Sequence, residues 1–150
     1  MAGLRLRGQD VKVWRLADGT LAHTLRLPQG PGNPGKVYAV AISPDGTRIA
    51  AGGWTDPRAG TDSIYIFDRA TGALAHRITG LPNVVFHLAY DADGERLAAT
   101  LGGTTRTDRR SLALVHSADN ASADNGSLSN VAWSADGRSL LAGGQYNLDG

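Results

Sequence analysis

Apolar and polar residues alternate with a period of two along most of this chain, and short polar turns cut the alternation at regular intervals. Period two sends successive side chains to opposite faces of an extended strand, whereas a helix needs spacings of three and four. The pattern therefore predicts strands throughout and no helix of useful length. Three apolar stretches lead into an Asp-Gly turn: Val37-Tyr38-Ala39-Val40-Ala41-Ile42, Val85-Phe86-His87-Leu88-Ala89-Tyr90 and Leu128-Ser129-Asn130-Val131-Ala132-Trp133. The turns are Ser43-Pro44-Asp45-Gly46, Asp91-Ala92-Asp93-Gly94 and Ser134-Ala135-Asp136-Gly137, and each opens a second apolar run at Arg48, Arg96 or Ser139. Asp-Gly between two such runs predicts a tight hairpin, because both residues tolerate the positive φ that the connection needs.

A second series interleaves with the first. Val11-Lys12-Val13-Trp14 runs to Asp18-Gly19, Ile64-Tyr65-Ile66-Phe67 to Thr71-Gly72, and Leu112-Ala113-Leu114-Val115 to Asp119-Asn120. After the first two turns the chain repeats itself, Thr20-Leu21-Ala22-His23-Thr24-Leu25 against Ala73-Leu74-Ala75-His76-Arg77-Ile78. The unit is thus four antiparallel strands. Asp45, Asp93 and Asp136 mark its period, spaced by 48 and then 43 residues. The polar tract 121–127 stands where a fourth strand of the third unit would lie, and losing that outermost strand accounts for the shorter spacing.

Val40-Ala41-Ile42-Ser43-Pro44-Asp45-Gly46, Ile64-Tyr65-Ile66-Phe67-Asp68 and Val11-Lys12-Val13-Trp14 carry a family likeness. With four strands per unit and a period near the roughly 40–45 residues of WD40 repeats, the chain resembles a stretch of a bacterial WD40-repeat propeller over nearly its whole length. The resemblance implies an all-β fold of WD40-like β-propeller blades, each a four-stranded antiparallel sheet. Strands are lettered a to d from the inside of a blade outward. Residues 1–27 then supply c and d of a first blade, 36–79 a full blade, 84–120 a blade without a clear strand d, and 128–150 strands a and b of a last blade. About three blades make an incomplete propeller, since closed rings have roughly four to eight. Either the chain is a piece of a longer polypeptide, or its complementary ends pair between copies in a homo-oligomer that completes the ring.

The Trp-Asp pair that names the family stands here as Trp14-Arg15, Phe67-Asp68 and Val115-His116, and Gly80-Leu81-Pro82-Asn83 replaces the expected Gly-His region. Family members with those residues tie their strands through a buried His, Asp and Ser/Thr network. This chain is therefore expected to hold its blades mainly by packing.

Composition narrows the chemistry. The 150 residues include 20 Gly, about twice the average share of roughly 7%, which agrees with frequent turns. There is no Cys, excluding disulfides, thiolate zinc sites and a cysteine nucleophile. A formal charge of +1 with 14 acidic residues does not supply a nucleic-acid footprint. No run approaches the roughly 18 apolar residues of a membrane helix, and residues 1–10 hold no signal-peptide core, so a soluble cytoplasmic protein is expected.

The His residues are the first candidates for catalysis. His23 and His76 recur at one repeat position on the outer strand, which marks packing, because catalytic groups converge instead of recurring once per unit. His116 holds the place of the family's Asp. His87 aligns with Ala39 and Asn130 on strand a, beside the central channel, and a propeller-fold enzyme with its site at the channel mouth near His87 is the competing reading. Those three positions are too sparse for metal or acid–base work, so the chain is read as non-catalytic, with no metal and no cofactor. Asp45, Asp93 and Asp136 are turn residues. Gly52-Gly53, Gly102-Gly103 and Gly143-Gly144 end strand b and lack the following helix of a phosphate loop.

Loop length carries the remaining signal. The b–c loops, 53–63 and 103–111, and the d–a loop, 27–36, lie on one face in the WD40 arrangement, while the a–b turns stay minimal on the other. Loops carry binding residues, and Trp and Arg are enriched at interface hot spots. The candidate partner-binding residues are Trp54, Arg58, Arg106, Arg109, Arg110, Lys36 and Asn83. They imply a scaffold offering one face to a protein partner or to another domain of a longer bacterial chain, with neither nucleic acid nor membrane as partner.

Overall fold

The computed structural model describes residues 10–27, 36–55, 62–81, 83–102, 112–114 and 126–146. All its regular elements are strands: β1 (Asp10–Trp14), β2 (Leu21–Arg26), β3 (Lys36–Ile42), β4 (Arg48–Trp54), β5 (Asp62–Asp68), β6 (Leu74–Leu81), β7 (Val85–Tyr90), β8 (Leu97–Leu101), β9 (Leu112–Leu114), β10 (Gly126–Trp133) and β11 (Leu140–Tyr146). They form four antiparallel sheets in the orders β1-β2, β3-β4-β5-β6, β7-β8-β9 and β10-β11. In chain order these sheets hold two, four, three and two of the described strands, consistent with WD40-like blades.

The sheets stack face to face, and β4 and β5 divide their side chains between two cores. Ile49, Ala51, Tyr65 and Phe67 pack with Leu25 and Leu27 of the preceding sheet and with Val11 and Val13. Ala50 and Ile64 point the other way, to Val85, Leu88, Leu97, Ala99 and Leu101 of the following sheet. Period two thus serves two interfaces at once, and alanines on strand b let neighbouring sheets approach closely.

Every a–b hairpin carries the same irregularity. Val37 pairs with Gly53 and Ala39 with Gly52, leaving Tyr38 unpaired, and Phe86 and Ser129 are left out in the same way. These are β-bulges, which bend the strand and re-aim its side chains. In the register Gly52 and Gly143 correspond to Thr100, so Gly102-Gly103 stands two residues later than the other pairs. Gly53 has a local reason. A Cβ there would lie 1.9 Å from the Lys36 carbonyl oxygen across the bulge.

The hairpin turns use Asp differently from expectation. Among the described residues positive φ occurs only at glycines, including Gly46, Gly94 and Gly137, and not at the preceding Asp. The Asp side chain is instead an acceptor. Asp45 Oδ1 receives the Ser43 hydroxyl at 2.5 Å and the Thr47 amide at 3.0 Å, and Oδ2 receives the Thr47 hydroxyl at 2.8 Å. Ser43 Oγ in turn accepts from the Arg48 amide at 2.9 Å, and Ser134, Asp136 and Ser139 repeat the pattern. The middle turn departs from it, because Asp91 takes the serine position and accepts from Arg96 through both its amide and its guanidinium.

Packing is not the whole of the cohesion. Where β4 leads toward β5, the buried Thr55 amide donates to Asp62 Oδ1 at 2.6 Å, and the Ser63 amide donates to Thr55 Oγ1 at 2.7 Å. Polar ties absent from the family's usual positions reappear at the b–c junction.

Two expectations follow. Gly53→Ala loses about 1–3 kcal/mol in urea unfolding through the backbone clash, whereas Gly143→Ala, with nothing within 4 Å of the added Cβ, shifts the midpoint little. Hydrogen bonds from Ser43 and Thr47 hold the Asp45 carboxyl down to about 2. A folded-state pKa below the unfolded value near 3.9 stabilises above the unfolded value, and that stabilisation is lost as pH falls toward about 2. Acid titration of stability should therefore be shallower between about pH 4 and 2 in Asp45→Asn than in the parent.

Candidate functional site

Both kinds of long connection emerge at one end of the sheets. Lys36, which opens β3, pairs directly with Trp54, which closes β4. Trp54 is exposed and Lys36 half-buried. Asn83 sits between β6 and β7 at the same end, half-buried, with its Oδ1 accepting from the Val84 amide at 2.8 Å. Its carboxamide oxygen thus shapes the entry into β7. Arg58, Arg106, Arg109 and Arg110 lie outside the described residues, as do His116 and most of the loops that carry the arginines. The opposite end is short and self-bonded: the Arg69 amide donates to the Thr47 carbonyl at 2.8 Å and its Nε to the Gly46 carbonyl.

The bulges add two residues that sequence reading assigns only to strands. Tyr38 and Phe86 are both exposed, and their rings lie 6.1 Å apart, tilted by 48°. Phe86 also lies over Gly102, where a Cβ would come within 2.7 Å of its ring. The small residue there makes room for the ring. Near the start of strand a in adjacent blades, the two aromatics form a shelf at the end that carries Trp54. Aromatic residues recurring at one repeat position were the available signal, but their outward turn depends on the bulge.

Farther along the inner strands, polar groups tie one blade to the next. His87 is half-buried, and its Nδ1 accepts the Val131 amide of β10 at 3.2 Å. Trp133 Nε1 donates to the Ala89 carbonyl at 3.1 Å. The Arg96 guanidinium lies 4.7 Å from the centre of the Trp133 ring, donates to the Gly137 carbonyl at 2.9 Å and pairs with the buried Asp91 at 2.7 Å. One arginine thus fastens two sheets. The Tyr90 hydroxyl and Thr100 Oγ1 are buried without a hydrogen-bond partner, and burial pushes the Tyr90 phenol above its usual range. His23 is half-buried beside Gly72 of the following blade and His76 is exposed, so the repeated position lies at an outer interface.

Residues 19–68 match the family model described as WD domain, G-beta repeat. Residues 19–68 thus carry a WD40 repeat, and the chain is similar to the WD40-repeat family. The matched WD40 segment starts at Gly19, before β2, and ends at Asp68 on β5, so the sequence repeat takes strand d from one sheet and a, b and c from the next. Coronin-7 of Mus musculus is 25% identical over 146 residues, and Coronin-7 of Rattus norvegicus is 28% identical over 147. Each alignment covers 94% of this chain and 15% of the relative, so the chain spans a small part of the length of these curated relatives. WD40 repeats are generally non-enzymatic scaffolds for protein–protein interaction. Among the described residues no helix is long and apolar enough to cross a membrane.

The His87 contact makes a measurable difference. His87→Ala leaves the Val131 amide without its acceptor, and the expected outcome is a loss of about 1–3 kcal/mol of stability in denaturant unfolding.

Proposed function

We propose that these WD40 blades form a non-catalytic scaffold that binds a protein partner, or another domain of a longer bacterial cytoplasmic protein, through the face carrying the b–c and d–a connections. The observation that carries the proposal is the exposed Tyr38–Phe86 shelf at the same end as Trp54 and Lys36. Exposed aromatics supply large contact area at low entropic cost, and a neighbouring lysine offers a cationic rim to an acidic segment. Asn83 positions the start of β7 beside this shelf, and Arg58, Arg106, Arg109 and Arg110 are assigned to the same face by their loops. Engagement of His87 Nδ1 by a backbone amide supports a structural role for that residue over a catalytic one. A homo-oligomer is a second kind of partnership.

Selection of peptides displayed on phage against the immobilised chain tests the proposal. Captured peptides should bind Trp54→Ala and Phe86→Ala at least about tenfold more weakly, a loss of about 1.4 kcal/mol, with the melting temperature unchanged. Peptides indifferent to both variants, or variants that melt early while retaining their ligands, would remove this face from consideration.

A further inference from the structure

Of the ties between blades, one runs through a side chain of the kind that titrates near neutral pH. His87 on β7 accepts the Val131 amide of β10 at its Nδ1, at 3.2 Å. Among the described strands β10 pairs only with β11, so an amide that faces away from β11 needs an acceptor in another sheet. An imidazole accepts through Nδ1 only while that nitrogen keeps its lone pair free, which places the proton of the neutral ring on Nε2. The doubly protonated ring has two donors and no acceptor. Proton and amide therefore compete for one lone pair.

The surroundings leave this competition to His87. The strands packed on β7 are β8, β10, β3, β4 and β5. Strands β8 and β10 carry no acidic, basic or phenolic side chain. Lys36 and Tyr38 on β3, Arg48 on β4, and Asp62, Tyr65 and Asp68 on β5 do ionise, but those strands form the preceding blade, which packs on the opposite face of β7 against Leu88. Tyr90 of β7 itself packs on that same opposite face. On the His87 face, the register sets Thr100 of β8 directly across from the ring, and Thr100 Oγ1 is buried without a hydrogen-bond partner. A hydroxyl in that place is an acceptor that the neutral ring leaves unused and the charged ring can donate to. The remaining ties across the junction come from the Trp133 indole and the Arg96 guanidinium, donors that keep their protons wherever a histidine titrates.

We infer that His87 is a proton-operated latch between the β7-β8-β9 and β10-β11 sheets. The neutral ring closes the latch on the Val131 amide. A proton taken from solvent onto Nδ1 forbids that bond, the new N–H turns to Thr100 Oγ1, and the Val131 amide is released. Trp133 and Arg96 still fasten the end of the junction nearer the hairpin turns, so β10 loosens from the other end, beside Phe86, the unpaired bulge residue that precedes His87. The contribution of the latch is present where histidine is neutral and is lost as the pH falls through the range in which it titrates. The inference does not depend on which face binds a partner.

Amide NMR on the isotope-labelled 150-residue chain tests it, with hydrogen exchange followed from about pH 8 to about pH 5 and corrected for the intrinsic rate. Protection of the Val131 amide is expected to fall about tenfold over that range, in step with the titration of the His87 ring signals. The Trp133 indole proton should keep its protection throughout. H87N retains a side-chain oxygen near the place of Nδ1 and cannot take up a proton, so its Val131 protection should be independent of pH. Should H87N perturb the fold, the parent alone decides, because both titrations are read on one chain. A Val131 amide that stays protected while the ring titrates, a ring that takes up no proton above about pH 5, or a folded H87N chain as pH-sensitive as the parent would overturn the inference.

Discussion

Each sheet in this protein must have both faces covered, and the rest of the structure depends on that requirement. A four-stranded sheet with apolar residues on alternate faces cannot hide them alone. Strands β4 and β5 meet the requirement from both sides, with Ile49, Ala51, Tyr65 and Phe67 facing one neighbour and Ala50 and Ile64 facing the other. Stability is therefore shared between adjacent blades, as in other stacked repeats. Burial is greatest where a described sheet has a described neighbour on each face, as at Ala50 and Tyr65.

Polar contacts adjust this stack without replacing it. At the hairpin turns Asp45 and Asp136 collect hydrogen bonds from neighbouring hydroxyls and amides, fixing the strand ends while glycine alone takes positive φ. At the b–c junction Thr55, Asp62 and Ser63 satisfy one another in the interior. Between blades, His87, Trp133 and Arg96 bond to backbone groups of the adjacent sheet, which orients one blade on the next more specifically than apolar contact does.

The candidate binding surface comes from the same economy of form. A bulge at one position in each a strand turns Tyr38 and Phe86 outward near the end from which the longer connections leave. That placement puts aromatic surface on rigid inner strands instead of on a loop, so its geometry is supported by the packed sheets behind it. The opposite end carries the short turns and the Arg69 bonds.

Much of this was determined by the sequence alone. The strands, the a–b hairpins and the propeller class all follow from a period of two, Asp-Gly punctuation and self-similarity, because these are local properties of the chain. Trp54 and Lys36 were legible as candidates because they border the long connections. Only the tertiary structure decided the rest. The residue opposite each strand-a position, such as Thr100 opposite His87, was fixed by strand pairing. His87 could be placed on strand a, but its partner could not: the Val131 amide that donates to its ring comes from the next blade, 44 positions away in sequence. Tyr38 and Phe86 looked like ordinary strand residues until the bulges turned them toward solvent. Each outcome depends on which residue stands opposite or adjacent across a sheet, and that is a relation between distant segments that no local pattern encodes.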